Sequence, residues 1–150
     1  FGLNANTTGS VGLNLTNNTV IGGGIAQHGL AILTQGTTQL TARILNNTIS
    51  GCTNAGIFMQ ISGNSFAKMR FEDNRTTGNQ VNNGLAGGSA VTGTLHAVFL
   101  RNISDQFNLA QGVGSAFLVE NLPGFNGVSG NSGFLNDTDV QNSPVSLGIP

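Results

Sequence analysis

Charge is scarce in this sequence. Five Lys or Arg and six Asp or Glu stand among 150 residues, 7% of the chain, for a net charge of −1. An ordinary soluble domain carries roughly 25%. So few cations cannot neutralise a run of phosphates, so no nucleic-acid partner is expected. The single cysteine, Cys52, excludes an internal disulfide and offers no metal-site spacing; it reads as a thiol placed in a turn. Trp and Tyr are absent. No apolar run approaches the ~18 residues of a spanning helix, so membrane insertion of this segment is not expected. The chain opens at Phe1 rather than Met, and begins and stops mid-pattern, which reads as a processed product or a segment of a longer chain.

Glycine and asparagine are abundant, with 23 Gly and nine Phe, and the mean hydropathy of +0.07 separates the chain from a disordered polar tract. Its length suits one core and a single domain. The order lies in a repeat. Asn18, Asn47, Asn74 and Asn102 stand 29, 27 and 28 residues apart. Before each of them runs the same alternation: Val11, Leu13, Leu15; Leu40, Ala42, Ile44; Ala67, Met69, Phe71; and Leu95, Ala97, Phe99. The interleaved positions are mixed in character, as in strands with one buried face. A second marker, Gly29, Gly56, Gly84 and Gly114, recurs at 27, 28 and 30 residues, in step with the first.

A period near 28 with no helical stripe predicts stacked β coils. We therefore expect an all-β parallel β-helix, a solenoid of about four to five coils of ~28 residues. Residues 1–10 would form an edge or cap, 11–122 the repeats and 123–150 an irregular end. Equivalent strands would lie about 4.8 Å apart, with the apolar columns inside. Asn18, Asn47, Asn74 and Asn102 would form a structural ladder of amides at a corner, where Asn also tolerates left-handed backbone. After Pro123 both Asn131 and Asn136 are candidate ladder members. Gly87-Gly88 marks a weak strand, and Gln106 replaces the corner glycine of the fourth coil.

Phe71-Glu72-Asp73-Asn74 and Phe99-Leu100-Arg101-Asn102 are FxxN phrases; Ile44-Leu45-Asn46-Asn47 and Leu15-Thr16-Asn17-Asn18 are aliphatic versions. Small-residue phrases follow: Gly22-Gly23-Gly24-Ile25, Ala55-Gly56-Ile57, Gly87-Gly88-Ser89-Ala90 and Gly114-Ser115-Ala116-Phe117. Over roughly residues 11–120 the pattern resembles the FxxN…GGA[ILV] repeat of polymorphic outer-membrane proteins and related autotransporter passengers. More broadly it is similar to the pectate-lyase-like β-helix proteins. The resemblance implies a right-handed coil and an extracellular or bacterial cell-surface location. It implies an adhesin-like or structural, non-catalytic role. Its alternatives are a polysaccharide lyase or hydrolase and a self-assembling fibre subunit.

All five basic residues lie close to a ladder asparagine, and a stacked register sets Lys68 beside His96, Arg43 beside Arg70 and Asp73 beside Arg101. Arg43, Lys68, Arg70, Glu72, His96 and Arg101 form the candidate binding face, with Glu72 and Asp105 flanking the cations. Glycan, or a host or cell-surface protein, is the expected partner, with self-association through coil ends or uncharged faces as a further expectation. A lyase would need an Arg or Lys base beside calcium ligands, and a hydrolase paired carboxylates. Glu72 and Asp73 are the only adjacent acids, and neighbours on a strand point to opposite sides. No catalytic residue, cofactor or metal is expected. Asp137-Thr138-Asp139 reads as loop solvation, and His28 and His96 have no nucleophile or acid in sequence context. Gly22-Gly23-Gly24 lacks the Lys-Ser/Thr of a phosphate loop and reads as a corner. Seven N-x-S/T sequons, at Asn6, Asn14, Asn17, Asn46, Asn74, Asn102 and Asn136, follow from composition; a glycan at the ladder would prevent stacking.

Overall fold

The repeat becomes a stack of parallel strands. The computed structural model describes residues 1–80 and 83–150, without the side chains of Asn83 and Pro123. The first coil holds β1 (Gly2–Thr7), β2 (Ser10–Thr16) and β3 (Thr19–Ile21). The second holds β4 (Leu30–Gly36), β5 (Gln39–Leu45) and β6 (Thr48–Ser50). The third holds β7 (Ala55–Ile61), β8 (Phe66–Glu72) and β9 (Arg75–Thr76). Then follow β10 (Asn83–Ser89), β11 (Thr94–Leu100), β12 (Ile103–Gln111), β13 (Ala116–Glu120), β14 (Ser132–Thr138) and β15 (Gln141–Ser143). One sheet runs β15-β13-β11-β8-β5-β2, and the other joins β1-β4-β7-β10-β12 to the short strands β9-β6-β3, with β14 also on β12. The chain is thus a parallel β-solenoid of about five turns, nearly all β.

Each inward column is one sequence position repeated. Leu15, Ile44, Phe71 and Phe99 lie in register. The Phe71 and Phe99 rings stack at 4.9 Å and 7°. Leu13, Ala42, Met69, Ala97 and Val119 make a second column, and Val11, Leu40, Ala67, Leu95 and Phe117 a third. From the second coil onward these side chains are buried. Each large one contributes about 1.5–3 kcal/mol of transfer free energy.

The ladder has five rungs. Asn18, Asn47, Asn74 and Asn102 each donate from backbone N–H and from Nδ2 to the Oδ1 of the next, at 2.9–3.0 Å, and the chain of bonds ends on Asn131. Asn131, rather than Asn136, is the fifth member; Asn136 Nδ2 instead donates to Asn108 Oδ1 at 2.6 Å. Left-handed backbone falls one residue earlier than expected, on Asn17, Asn46, Asp73, Arg101 and Gly130. The turn is taken there, which frees the ladder amide to point along the axis.

Three further expectations change. Gly87-Gly88 sits in a full strand pairing with β7 and β12. A Cβ on Gly88 would lie 1.8 Å from Ala110 O, so the absent side chains allow this close approach. The third corner, a loop in the early coils, is lost in the fourth: β12 runs through it with a register shift between Ile103 and Gln106. After Pro123, where an irregular end was expected, β14 and β15 rejoin the stack. Within the segment 1–10, β1 pairs with β4 and ends that sheet.

Candidate functional site

The outer face of the six-stranded sheet carries Arg43, Lys68, Arg70 and Glu72, with Asp73 and Arg101 at the corner that follows it. Strand alternation puts Thr41, Arg43 and Leu45 of β5 outward, and the register sets them beside Lys68, Arg70 and Glu72 of β8. His96, Val98 and Leu100 of β11 follow. Lys68–His96 and Arg43–Arg70 are therefore neighbours, as expected.

Glu72 and Asp73 do not diverge. Strand geometry ends at Glu72, and the left-handed backbone of Asp73, φ 55°, breaks the alternation. Both carboxylates then meet Arg101, which is itself left-handed at φ 51° one coil on. Arg101 Nε and Nη2 donate to Asp73 Oδ1 and Oδ2 at 2.8 and 2.9 Å, and Nη2 also reaches Glu72 Oε1. Arg70 Nε donates to Glu72 Oε2 at 2.6 Å. The result is a four-member network with no net charge. Bonding to Arg70 foremost, and then to Arg101, holds Glu72 below the usual carboxylate range against the opposing effect of burial. The Arg101 fork does the same to Asp73, and the guanidinium of Arg101 is pushed up in return.

A depressed carboxyl pKa stabilises the fold above the unfolded-state value, about 4.3 for Glu, and that stabilisation is lost as pH falls through the folded value. In carbon-detected NMR titration the Glu72 carboxyl is therefore expected to titrate below the range of an exposed Glu. Arg70→Gln should move its midpoint upward; an unmoved midpoint would assign the shift to another cause.

Of the six expected face residues, three (Arg70, Glu72, Arg101) come together. Lys68 and His96 lie alongside, and Arg43 is exposed beyond them. Among the described residues no carboxylate pairs with Arg43 or Lys68. Burial, and then the Lys68 charge, lower the His96 pKa, so its imidazole is neutral near pH 7. Its ring meets Phe66 edge to face at 5.0 Å. Phe66 was missed from sequence, although it precedes Lys68 by two on the same outward face. Ser10, Gly12, Gln39, Thr41, Phe66 and Lys68 line a shallow groove of about 460 Å³. The small outward residues of the first two coils leave it below the Phe66 step.

Asp105 does not flank the cations. Its Oδ2 accepts from Asn79 N–H at 3.3 Å, and Asn79 Oδ1 accepts from Cys52 N–H at 3.1 Å. Asp105 thus ends a second, shorter ladder at the third corner. Cys52 is fully buried there, and burial pushes its thiol pKa up, away from reactivity. His28 stacks on Phe58 at 4.7 Å and its Nδ1 accepts from Ala55 N–H at 3.4 Å, a packing role. Asn74 and Asn102 are buried with both side-chain termini engaged, which leaves these two sequons no free amide.

These features define a parallel β-solenoid with an asparagine ladder and one flat, cation-bearing face. No protein-family description, curated protein or solved structure matches the chain.

Proposed function

We propose that this solenoid is a surface-displayed, adhesin-like binding segment of the kind found in polymorphic outer-membrane and autotransporter passengers, and that it takes an anionic glycan on its six-stranded face. One observation carries the reading. Arg43 and Lys68 are cations without carboxylate partners, set beside a groove walled by an aromatic ring and by Ser, Gln and Thr side chains. Carboxylate or sulfate groups pair with the cations, sugar C–H groups pack on Phe66, and hydroxyls meet the polar wall. Parallel strands repeat such groups at about 4.8 Å, which suits an extended polymer.

The rival hydrolase needs a carboxylic acid that keeps its proton. Glu72 and Asp73 are instead held ionised by arginine, which favours binding over cleavage. The test is surface-plasmon-resonance binding of immobilised heparin and polygalacturonate, with dextran as the neutral control. The acidic polymers should bind and weaken with salt, dextran should not bind, and Arg43→Ala with Lys68→Ala should lower affinity about tenfold or more. No binding to either acidic polymer, or release of reducing ends from them, would overturn the reading.

A further inference from the structure

The cation-bearing face holds a third basic group besides Arg43 and Lys68. Arg43, Lys68 and His96 sit on β5, β8 and β11, three successive coils of the six-stranded sheet, all on its outer face. Lys68 and His96 share one register position, and Arg43 lies two residues further along its own strand. The coils on either side hold Gly12 and Asn14 of β2, and Leu118 and Glu120 of β13, at these positions, with no cation. An anionic polymer laid along the axis therefore meets one basic side chain per coil for three coils, at steps of about 4.8 Å.

His96 differs from the other two in that its charge depends on pH. The ring is half-buried, meets Phe66 at 5.0 Å, and has Lys68 opposite it on β8. Few other charges face it. From β8, Arg70 lies on the diagonal, with its Nε bonded to Glu72 at 2.6 Å. From β13, Leu118 is opposite and Glu120 is diagonal, and Glu120 Oε2 accepts from Leu147 N–H at 3.0 Å. β11 carries no other ionisable side chain. Burial, and with it the like charge of Lys68, opposes protonation of His96 in the free protein. An anion set between the two rungs pairs with both groups and removes that repulsion.

We infer that His96 is the third anion-pairing position of this face, engaged in its protonated form, so that a sulfated glycan is held more tightly in mildly acidic surroundings than at neutral pH. This rests on the glycan reading above, with a sulfated polymer as the ligand, because sulfate keeps its charge through the range in which histidine gains one. The coupling is reciprocal: protonation raises affinity, and bound sulfate raises the pKa of the imidazole. The gain begins as pH falls through the raised value of the complex. It is complete below the value of the free protein, which lies under the ordinary histidine value of about 6.5.

Surface plasmon resonance on immobilised heparin, at about pH 7.5 and about pH 5.5 and one ionic strength, tests the coupling. The parent chain should bind about three- to fivefold tighter at the lower pH. His96→Gln should bring the ratio between the two conditions to about one. His96→Lys should flatten it too, with neutral-pH binding about as tight as that of the parent in acid. In proton NMR titration the His96 midpoint should move upward when heparin is added, while that of His28, which stacks on Phe58 of the other sheet, should stay. A parent ratio of one, a ratio that survives His96→Gln, or an unmoved His96 midpoint would overturn the inference and leave the glycan reading standing. Heparin that binds at neither pH would overturn it as well, and polygalacturonate binding then tells whether the glycan reading falls with it.

Discussion

Phe71→Ala is expected to lower the unfolding free energy by about 3–5 kcal/mol, and Phe71→Asp to leave the chain unfolded at room temperature. Phe71 is 0% exposed and sits mid-stack, its ring on that of Phe99 and its strand position beside Ile44. Truncation opens a cavity that neither neighbouring coil can fill, because parallel backbones hold the coils at a fixed spacing. A domain of this size holds ~5–15 kcal/mol in all, so alanine removes a large share. Aspartate adds an unpaired charge to the defect. Arg70→Ala, one position away on the outer face, should cost about 1 kcal/mol or less, since it ends only a partly exposed ion pair. Urea unfolding followed by circular dichroism checks all three. A Phe71→Ala loss no larger than that of Arg70→Ala would mean that the aromatic column is not what holds the coils.

The second large effect falls on the ladder. Asn74 Oδ1 accepts from Asn47 N–H and Nδ2, and its own Nδ2 donates to Asn102 Oδ1 and to Ile44 O. Asn74→Ala strands a buried N–H on Asn47, at about 1–3 kcal/mol for an unsatisfied group, and removes the bonds to Ile44 O and Asn102 Oδ1, at about 1 kcal/mol each. The expected loss is about 3–5 kcal/mol. Asn18→Ala, at the exposed end rung, should lose about 1 kcal/mol. Asn74→Asp separates the two halves of the amide, since a carboxylate still accepts from Asn47 but cannot donate. Burial against carbonyl oxygens raises the pKa of that new acid. The protonated form is then favoured in the fold, so the deficit relative to the parent is small below pH ~4 and deepens as pH rises toward the folded value. Urea midpoints of parent and variant at acid and neutral pH measure this. A deficit independent of pH would show that donation by Nδ2 is dispensable.

Much of the architecture was readable before any coordinates. The apolar triplets ending at Leu15, Ile44, Phe71 and Phe99 named the core columns, and the asparagines at 18, 47, 74 and 102 named the ladder. Both depend on one position repeating in every coil, so composition at that position carries the message. The left-handed corner was misplaced by one residue because its occupants, Asn17, Asn46, Asp73, Arg101 and Gly130, share no side-chain chemistry. That misplacement hid the site. Strict alternation separates Glu72 from Asp73, whereas the corner backbone brings both to Arg101. Phe66 went unnoticed because no other coil has an aromatic there; its register partners are Gln39 and Thr94.

The amino-acid order by itself determined the coil period, the inward faces and the row of stacked amides, because those need only local alternation and a regular repeat. Tertiary structure alone decided which acids meet which arginines and that Asp105 belongs to a second ladder. These outcomes turn on backbone angles at single corner residues and on contacts between coils about 28 residues apart, and the linear sequence encodes neither one position at a time.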